Sequence, residues 1–328
     1  MKLLVTGGLG FIGSNFILNL LEKNENLEIT NVDAELTGSH YGNLTSIKNN
    51  KNYNFIKGNI TNRRLMEKLI SNCDLVVNFA AESFVDRSIS NADPFLVSNI
   101  RGAFTILDLI TKTKKRMIHI STDEVFGSLK SQSATEEDKL NPSNPYAATK
   151  ASAELLIQSY ITTYDSDVII TRCTNNYGPR QFPEKLIPKI ILLAKQGKNI
   201  PIYGNGKNIR DWIYVDDHCN ALYDIMLKGT TKQSYNISAN NEISNLRLVS
   251  QILKIMDKSE DLIEFVDDRP GHDFRYSLDS SKINHELEWS AKTNFEVGIK
   301  KTVDWYIKNS DWINNVPNNV LESTPWKN

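Results

Sequence analysis

The stretch Lys2-Leu3-Leu4-Val5-Thr6-Gly7-Gly8-Leu9-Gly10-Phe11-Ile12-Gly13 opens with an apolar run that stops at a cluster of glycines. The run predicts a buried strand. Phe16, Ile17, Leu20 and Leu21 then recur at helical spacing, so a helix is expected at 14–22. A strand–glycine–helix succession lets the backbone approach a pyrophosphate without a Cβ in the way. The helix N-terminus adds free N–H groups and the positive end of its dipole. Gly8, Gly10 and Gly13 fit GxGxxG, and Gly7, Gly10 and Gly13 fit GxxGxxG. Asp33 ends the next apolar run, 20 residues after Gly13. A carboxylate there can accept from both ribose hydroxyls and repels a 2′-phosphate, which favours NAD over NADP.

Apolar runs recur at 29–32, 53–57, 75–79, 117–121 and 168–172, and helical periodicity at 63–71, 97–111 and 145–164. Strand alternating with helix implies an α/β fold with a doubly wound, parallel Rossmann sheet, with ligands beyond the carboxyl ends of its strands. Past Asn176 the rhythm changes. Pro183, Pro188, Pro201, Gly204 and Gly206 punctuate shorter elements, with helices expected at 186–196, 218–227 and 245–256. This predicts a first domain at 1–175 that carries the dinucleotide and catalytic residues. A smaller mixed α/β C-terminal lobe follows at 176–328, with some segments returning to the first domain. The tail after Asn309 mixes Trp312, Trp326, Pro317 and Pro325 without periodicity.

The chain of 328 residues carries 38 Lys+Arg against 39 Asp+Glu, a formal net charge of -1. That balance argues against a dedicated nucleic-acid binder. Apolar residues, 40% of the chain and evenly spread, argue against disorder. Cys73, Cys173 and Cys219 are odd in number, far apart and without a CxxC pair. Neither a disulfide framework nor a zinc site is expected, and no metal ligands are assigned. Such cysteines read as small buried hydrophobes in a reducing cytoplasm. No apolar run reaches the roughly 18 residues that span a bilayer. Glycines rather than a cleavage site follow the apolar start, so no signal peptide is expected.

Two segments carry chemistry. Tyr146-Ala147-Ala148-Thr149-Lys150 puts a phenol and an amine on one helix face, at i and i+4. An ammonium there stabilises phenolate and lowers the Tyr146 pKa, so the phenol can take a hydroxyl proton while a hydride leaves the same carbon. Ser121-Thr122-Asp123-Glu124 ends the fifth strand. Adjacent carboxyl groups at a ligand-facing strand end are costly unless solvated or used. A pair can divide the labour, one protonated as acid and the other ionised as base. The competing reading is an acidic pair held by a helix dipole. Phe79-Ala80-Ala81-Glu82-Ser83, after the fourth strand, leaves room for a ligand over the sheet edge.

Together these segments resemble the extended short-chain dehydrogenase/reductase superfamily and, within it, the dTDP-glucose 4,6-dehydratases. The likeness runs from Lys2 to about Tyr306. It rests on Ala80-Ala81-Glu82-Ser83, Val85-Asp86-Arg87-Ser88, Thr122-Asp123-Glu124-Val125 and Asn175-Asn176-Tyr177-Gly178-Pro179. Further on it rests on Pro183-Glu184-Lys185-Leu186-Ile187-Pro188, Arg210-Asp211-Trp212 and Asp268-Arg269-Pro270-Gly271-His272-Asp273. The resemblance implies an NAD cofactor on Gly7, Gly10, Phe11, Ile12, Gly13, Asp33, Asn59, Ile60, Ala80, Ala81, Ser83, Ser98, Tyr146, Lys150 and Asn176. It implies a nucleotide-sugar substrate on Ser83, Thr122, Asn175, Lys185, Leu186, Pro201, Tyr203, Arg210, Asn245, Arg269 and His272. Arg210 and Arg269 can fork onto a diphosphate. In the implied reaction Tyr146, helped by Thr122 and Lys150, deprotonates the C4 hydroxyl as its hydride passes to NAD+. Glu124 then takes the C5 proton, Asp123 protonates the departing C6 hydroxyl, and the hydride returns to C6. A cytoplasmic homodimer and a place in deoxysugar biosynthesis are implied as well.

Four features depart from the family pattern. Phe84 stands where His is usual, Asn59 where an Asp meets adenine, and Phe126 where Tyr is common; the ribose loop at 34–43 is longer. The amide oxygen of Asn59 is still expected to accept from the adenine amino group. Other readings stay open here. A nucleotide-sugar 4-epimerase would have no use for Asp123-Glu124, a dehydratase could act on UDP-glucose, and a mere NAD sensor would not need Thr122, Tyr146 and Lys150. Arg210 could instead pair with Asp211 or Asp216.

Overall fold

The computed structural model describes residues 1–24, 26–314, 318–321 and 326. The first six strands are β1 (Lys2–Thr6), β2 (Glu28–Asp33), β3 (Tyr53–Lys57), β4 (Leu75–Asn78), β5 (Arg116–Thr122) and β6 (Val168–Cys173). Six more follow: β7 (Asn175–Tyr177), β8 (Ile200–Tyr203), β9 (Ile209–Tyr214), β10 (Ser234–Ile237), β11 (Glu242–Ser244) and β12 (Ile263–Val266). Seven strands form one parallel sheet in the order β10-β6-β5-β4-β1-β2-β3. Strand direction is kept, but the order in which successive strands are added reverses between β1 and β4, which opens a crevice at their carboxyl ends. β4 and β6 are buried at every position, as strands covered by helices on both faces must be.

The doubly wound parallel sheet is therefore as the alternation of periods implies. Its seventh strand comes from the second half of the chain. β10 pairs with β6, and the helices Val215–Lys228 and Ser281–Leu287 place Cys219, Leu222, Ile225 and Ile283 in the first core. The second lobe holds the sheet β11-β9-β7 and the pair β12-β8. Its core packs Ile190, Leu248, Ile252 and Ile299 from the helices Leu186–Lys195, Asn245–Ile255 and Phe295–Lys308.

One expected helix differs. The stretch read as a helix at 97–111 contains a π-helical segment, Leu96–Gly102, before the α-helix Ala103–Thr113. The wider turn brings Asn99 inward. Its amide accepts from Glu82 N at 2.8 Å and donates to Glu82 O and Thr149 Oγ1, both at 3.0 Å. The tail gains a place too. Trp312 Nε1 donates to Asn43 Oδ1 at 2.8 Å, and its ring lies 4.5 Å from that of His40. Trp326 packs on Tyr203 at 4.6 Å, whereas Pro317 and Pro325 lie outside the described residues. All three cysteines are buried and free. Among the described residues no helix is long and apolar enough to cross a membrane.

The helix Pro145–Tyr164 carries the YxxxK pair. Asn144 caps it, accepting from Ala147 N at 2.9 Å, and Pro145 sits in its first turn, where no N–H is needed. Glu154 in its middle meets Arg172 of β6 in a buried fork at 2.7–3.2 Å. Removing one partner of such a pair strands the other charge in the interior. Glu154→Gln should therefore lower the unfolding free energy by about 3–5 kcal/mol, read as a lower urea midpoint at unchanged slope. An unchanged midpoint would mean that the helix does not depend on the pair.

Candidate active site

Two clefts meet beyond the carboxyl ends of β1, β4 and β5. The first is floored by Gly7, Gly10, Phe11, Ile12 and Gly13, with Asp33, Asn59 and Ile60 on one wall. Ala80, Ala81, Ser83 and Ser98 line it further along, and Thr122, Asp123, Glu124, Tyr146 and Lys150 close its far end. The second cleft takes Leu186, Pro201, Tyr203, Arg210, Asn245, Arg269 and His272 from the second lobe. Glu124, Asn175, Asn176, Lys185 and Phe84 line both, so they mark the junction.

The glycine cradle fits a diphosphate. Gly7 has φ +72, and a Cβ on it would lie 2.6 Å from Ala80 N; one on Gly13 would lie 2.6 Å from Gly7 O. Gly10 caps the helix Phe11–Lys23 without a side chain, leaving the first-turn N–H groups for a ligand. The spacing that matters is GxxGxxG. Gly8 does not line the cleft but turns against Asn31, whose Oδ1 takes its N–H at 3.1 Å. Asp33 is more occupied than expected. Its Oδ1 accepts from Glu35 N and Ser39 Oγ, each at 2.8 Å, and its Oδ2 from Leu9 N at 3.0 Å. One lone pair on Oδ2 is left for a ribose hydroxyl, rather than an acceptor for each hydroxyl. Burial pushes its pKa up.

Asn59 also differs from expectation. Its Oδ1 already accepts from Thr61 N at 2.9 Å and Thr61 Oγ1 at 2.8 Å, so the amide N–H₂, not the oxygen, is what it offers a base. Asn176 is spent in a similar way, between Thr174 O at 3.0 Å and His218 Nδ1 at 2.8 Å. By contrast Asn175 Oδ1, Asn245 Oδ1 and Arg269 Nε are buried with no hydrogen-bond partner among the described residues. Buried polar atoms in that state are ready for a ligand.

At the junction, Thr122 caps the short 3-10 turn Asp123–Phe126 by accepting from Glu124 N at 3.3 Å. Its hydroxyl also donates to Asp123 Oδ1 at 3.1 Å. Asp123 is 4% exposed and its Oδ2 has no partner. Burial first, and the Glu124 carboxylate second, raise its pKa well above its ordinary value, which favours the protonated acid. The expected lowering of Tyr146 is not found. Burial and the Glu124 carboxylate push its pKa well up, and the Lys150 amine donates to Ile120 O at 2.6 Å.

In the second cleft Arg210 forms no ion pair with Asp211 or Asp216. It donates to the carbonyls of Ile209, Asp273 and Phe274 at 2.7–3.3 Å and keeps its charge unneutralised. Arg269 pairs with Asp86 at 2.8 Å, and Tyr203 Oη donates to the other Asp86 oxygen at 2.9 Å. His272 is neutral, its pKa pushed down to about 4 by burial and by Arg269 and Arg210. Lys185 donates to Ser83 O at 2.6 Å.

The family model described as GDP-mannose 4,6 dehydratase matches residues 4–302. The chain is 46% identical to the low-salt glycan biosynthesis protein Agl12 of Haloferax volcanii, over 94% of this chain and 99% of that protein. It is 42% identical to the dTDP-glucose 4,6-dehydratase of Streptomyces niveus, over 95% and 94%. The chain belongs to the dTDP-glucose 4,6-dehydratase family. The fold agrees across the family. DesIV, the dTDP-glucose 4,6-dehydratase of Streptomyces venezuelae solved with NAD bound, is 40% identical and superposes with a TM-score of 0.93, covering 95% of this chain and 98% of that one.

Sequence reasoning missed three site residues. Asn99 depends on a π turn that hydrophobic spacing does not signal. Phe182 packs its ring 5.9 Å from Phe84 at the cleft junction. Tyr276 touches Glu124 from a distant loop, and its one cue was the quoted Asp273 three residues earlier.

Lys150 is wholly buried, and burial lowers its pKa from 10.5 to about 8. Between those values the unfolded chain holds a proton that the folded chain has released. This amine therefore adds stability as pH rises through that window. The unfolding free energy of the unliganded wild type, minus that of Lys150→Met, should climb across it. A flat difference would show that the amine keeps its ordinary pKa.

Proposed function

We propose that this chain is a lyase that converts dTDP-glucose to dTDP-4-keto-6-deoxyglucose. One observation carries the reading. Asp123 and Glu124, a buried acid and its neighbouring carboxylate, stand beside Thr122 and Tyr146 where the two clefts join. Bound NAD+ would supply the hydride acceptor for C4 and the store from which the hydride returns to C6. Gly7, Gly10, Gly13 and the first helical turn hold its diphosphate, and Asp33 its ribose.

Tyr146 would give up its own proton once the positive charge of bound NAD+ offsets burial and Glu124, and its phenolate Oη then takes the proton from O4. The ketone formed at C4 acidifies the C5–H bond. Glu124 removes that proton, the electron pair forms the C5–C6 double bond, and O6 leaves with the proton of Asp123 as water. Arg210, Arg269 and Lys185 hold the nucleotide diphosphate, with Tyr203 beside the base. A 4-epimerase needs only hydride transfer and rotation of the sugar, so an acid held protonated at position 123 would be idle in it.

The purified enzyme should turn dTDP-glucose into a 4-keto product without added NAD, and favour it over UDP-glucose. Unchanged dTDP-glucose from enzyme shown to carry NAD would sink the substrate assignment. Asp123→Asn should slow water elimination by about 10²–10⁴ while C4 oxidation persists; loss of both steps alike would remove Asp123 from the acid role.

We also infer a cytoplasmic homodimer. Three free, buried thiols suit a reducing compartment. Phe104, Tyr160 and Tyr164 form a contiguous aromatic run on the outer face of the helices Ala103–Thr113 and Pro145–Tyr164, with Phe104 38% and Tyr164 59% exposed. A second copy seated on this face would cover it. Phe104→Glu should sediment as a monomer; a dimer of unchanged affinity would place the interface elsewhere.

A further inference from the structure

The reaction as described gives no part to Tyr276, which is 2% exposed and whose hydroxyl faces the C5 base. That hydroxyl has one proton and two carboxylate acceptors, Asp273 Oδ2 at 2.7 Å and Glu124 Oε2 at 3.3 Å. Asn144 Nδ2 donates to the same Glu124 oxygen, also at 3.3 Å. Both contacts therefore fall on Oε2. The phenol is itself held from behind. Asp273 Oδ1 accepts from Ser143 Oγ at 2.6 Å, and the Arg210 guanidinium lies 4.2 Å over the Tyr276 ring while donating to Asp273 O at 2.9 Å. Burial and the two carboxylates keep the phenol protonated and hence a donor.

We propose that Tyr276 is the positioning residue of the C5 base: its hydroxyl holds Glu124 Oε2, so that Oε1 faces the sugar and takes the C5 proton. Asp273 and Arg210 in turn fix Tyr276. The inference rests on the dehydratase reading above. It also joins binding to chemistry, because the cation that meets the diphosphate is the one that stacks on the ring orienting the base. A carboxylate free to rotate would spend less time in the attacking geometry, and small misplacements of a general base are costly in rate.

The test is the Tyr276→Phe holoenzyme, with its melting temperature measured beside the wild type. The ring and the Arg210 contact stay; the hydroxyl goes. C4 oxidation precedes C5 deprotonation, so the variant should oxidise substrate and then stall. Reduced nicotinamide absorbance should build up during turnover, and solvent deuterium entry at C5 should fall about tenfold or more, with KM within about threefold of wild type. Asp273→Asn keeps the phenol but weakens what fixes it, so C5 exchange in that variant should fall several-fold while C4 oxidation persists. This second variant carries the test if Tyr276→Phe does not fold. Wild-type C5 exchange in folded Tyr276→Phe would overturn the assignment, as would an equal loss of C4 oxidation or wild-type C5 exchange in Asp273→Asn. If instead the wild type leaves dTDP-glucose unchanged, the substrate reading is what has failed. C5 exchange on the nucleotide sugar it does turn over then tests Tyr276.

Discussion

Two consecutive carboxyl groups sit where a buried parallel strand stops, and the protein cannot leave both ionised there. Asp123 is enclosed from water while Glu124 is only half-buried on the cleft wall, and like charges on neighbouring residues repel strongly at low dielectric. The outcome is asymmetric. Asp123 is enclosed and keeps a proton, with one oxygen on Thr122 and the other unpartnered. Glu124 reaches the junction of the clefts, where Asn144, Tyr276 and the nearby cations receive it. The two roles of an elimination, acid and base, thus follow from a difference in environment between adjacent residues. Thr122 is central to it, since one hydroxyl caps the turn and contacts the acid.

What was legible in the chain follows from how locally each feature is encoded. The strand at Tyr53–Lys57 and the helices at Arg63–Ser71 and Pro145–Tyr164 come out with the limits their apolar periods and caps imply. Their signals lie within the element. The π turn at Leu96–Gly102 is invisible because its apolar spacing differs too little from that of an α-helix. β7, β8, β11 and β12 are three or four residues long and exist through their partners, so no period announces them. β10 is similar: its pairing with β6 across 60 residues of the second lobe is a tertiary fact. In the site, the carboxyl pair and the YxxxK pair were readable as chemistry. The state of Tyr146 was not, since burial and Glu124 outweigh a lysine that has turned to Ile120 O.

The departures from the family pattern are absorbed by packing. Phe84, in place of an imidazole, lies between the clefts among Phe182, Val320 and the Lys185 ammonium, which sits 4.7 Å over its ring. An aromatic face there attracts the cation that a polar ring would compete with. Phe126 needs no hydroxyl, because its ring underlies the Arg172 guanidinium at 4.9 Å. The longer loop at 34–43 is pinned at both ends of its span. Ser39 and Glu35 bind Asp33, while His40 N and Asn43 Nδ2 donate to Leu9 O at 3.0 and 2.8 Å. Trp312 from the tail then fastens Asn43. Extra length here tightens the wall of the dinucleotide cleft.

A last constraint concerns the helix that carries Tyr146 and Lys150. Small residues, Ala147, Ala151 and Ala153, let it lie close to the sheet, but smooth apolar contact fixes neither its rotation nor its height. Polar contacts do, along its first three turns. Asn144 caps the start, Thr149 meets Asn99 on the π segment, Lys150 meets the β5 carbonyl, and Glu154 forks onto Arg172 of β6. Each is directional, and the last three tie the helix to three different elements. Together they hold the phenol beside the end of β5, where the acid and the base stand, with the sub-ångström tolerance that proton transfer requires. The buried charges of this helix are better understood as its alignment than as its stability, since apolar replacements of equal volume could pack as well but would leave the helix free to slide.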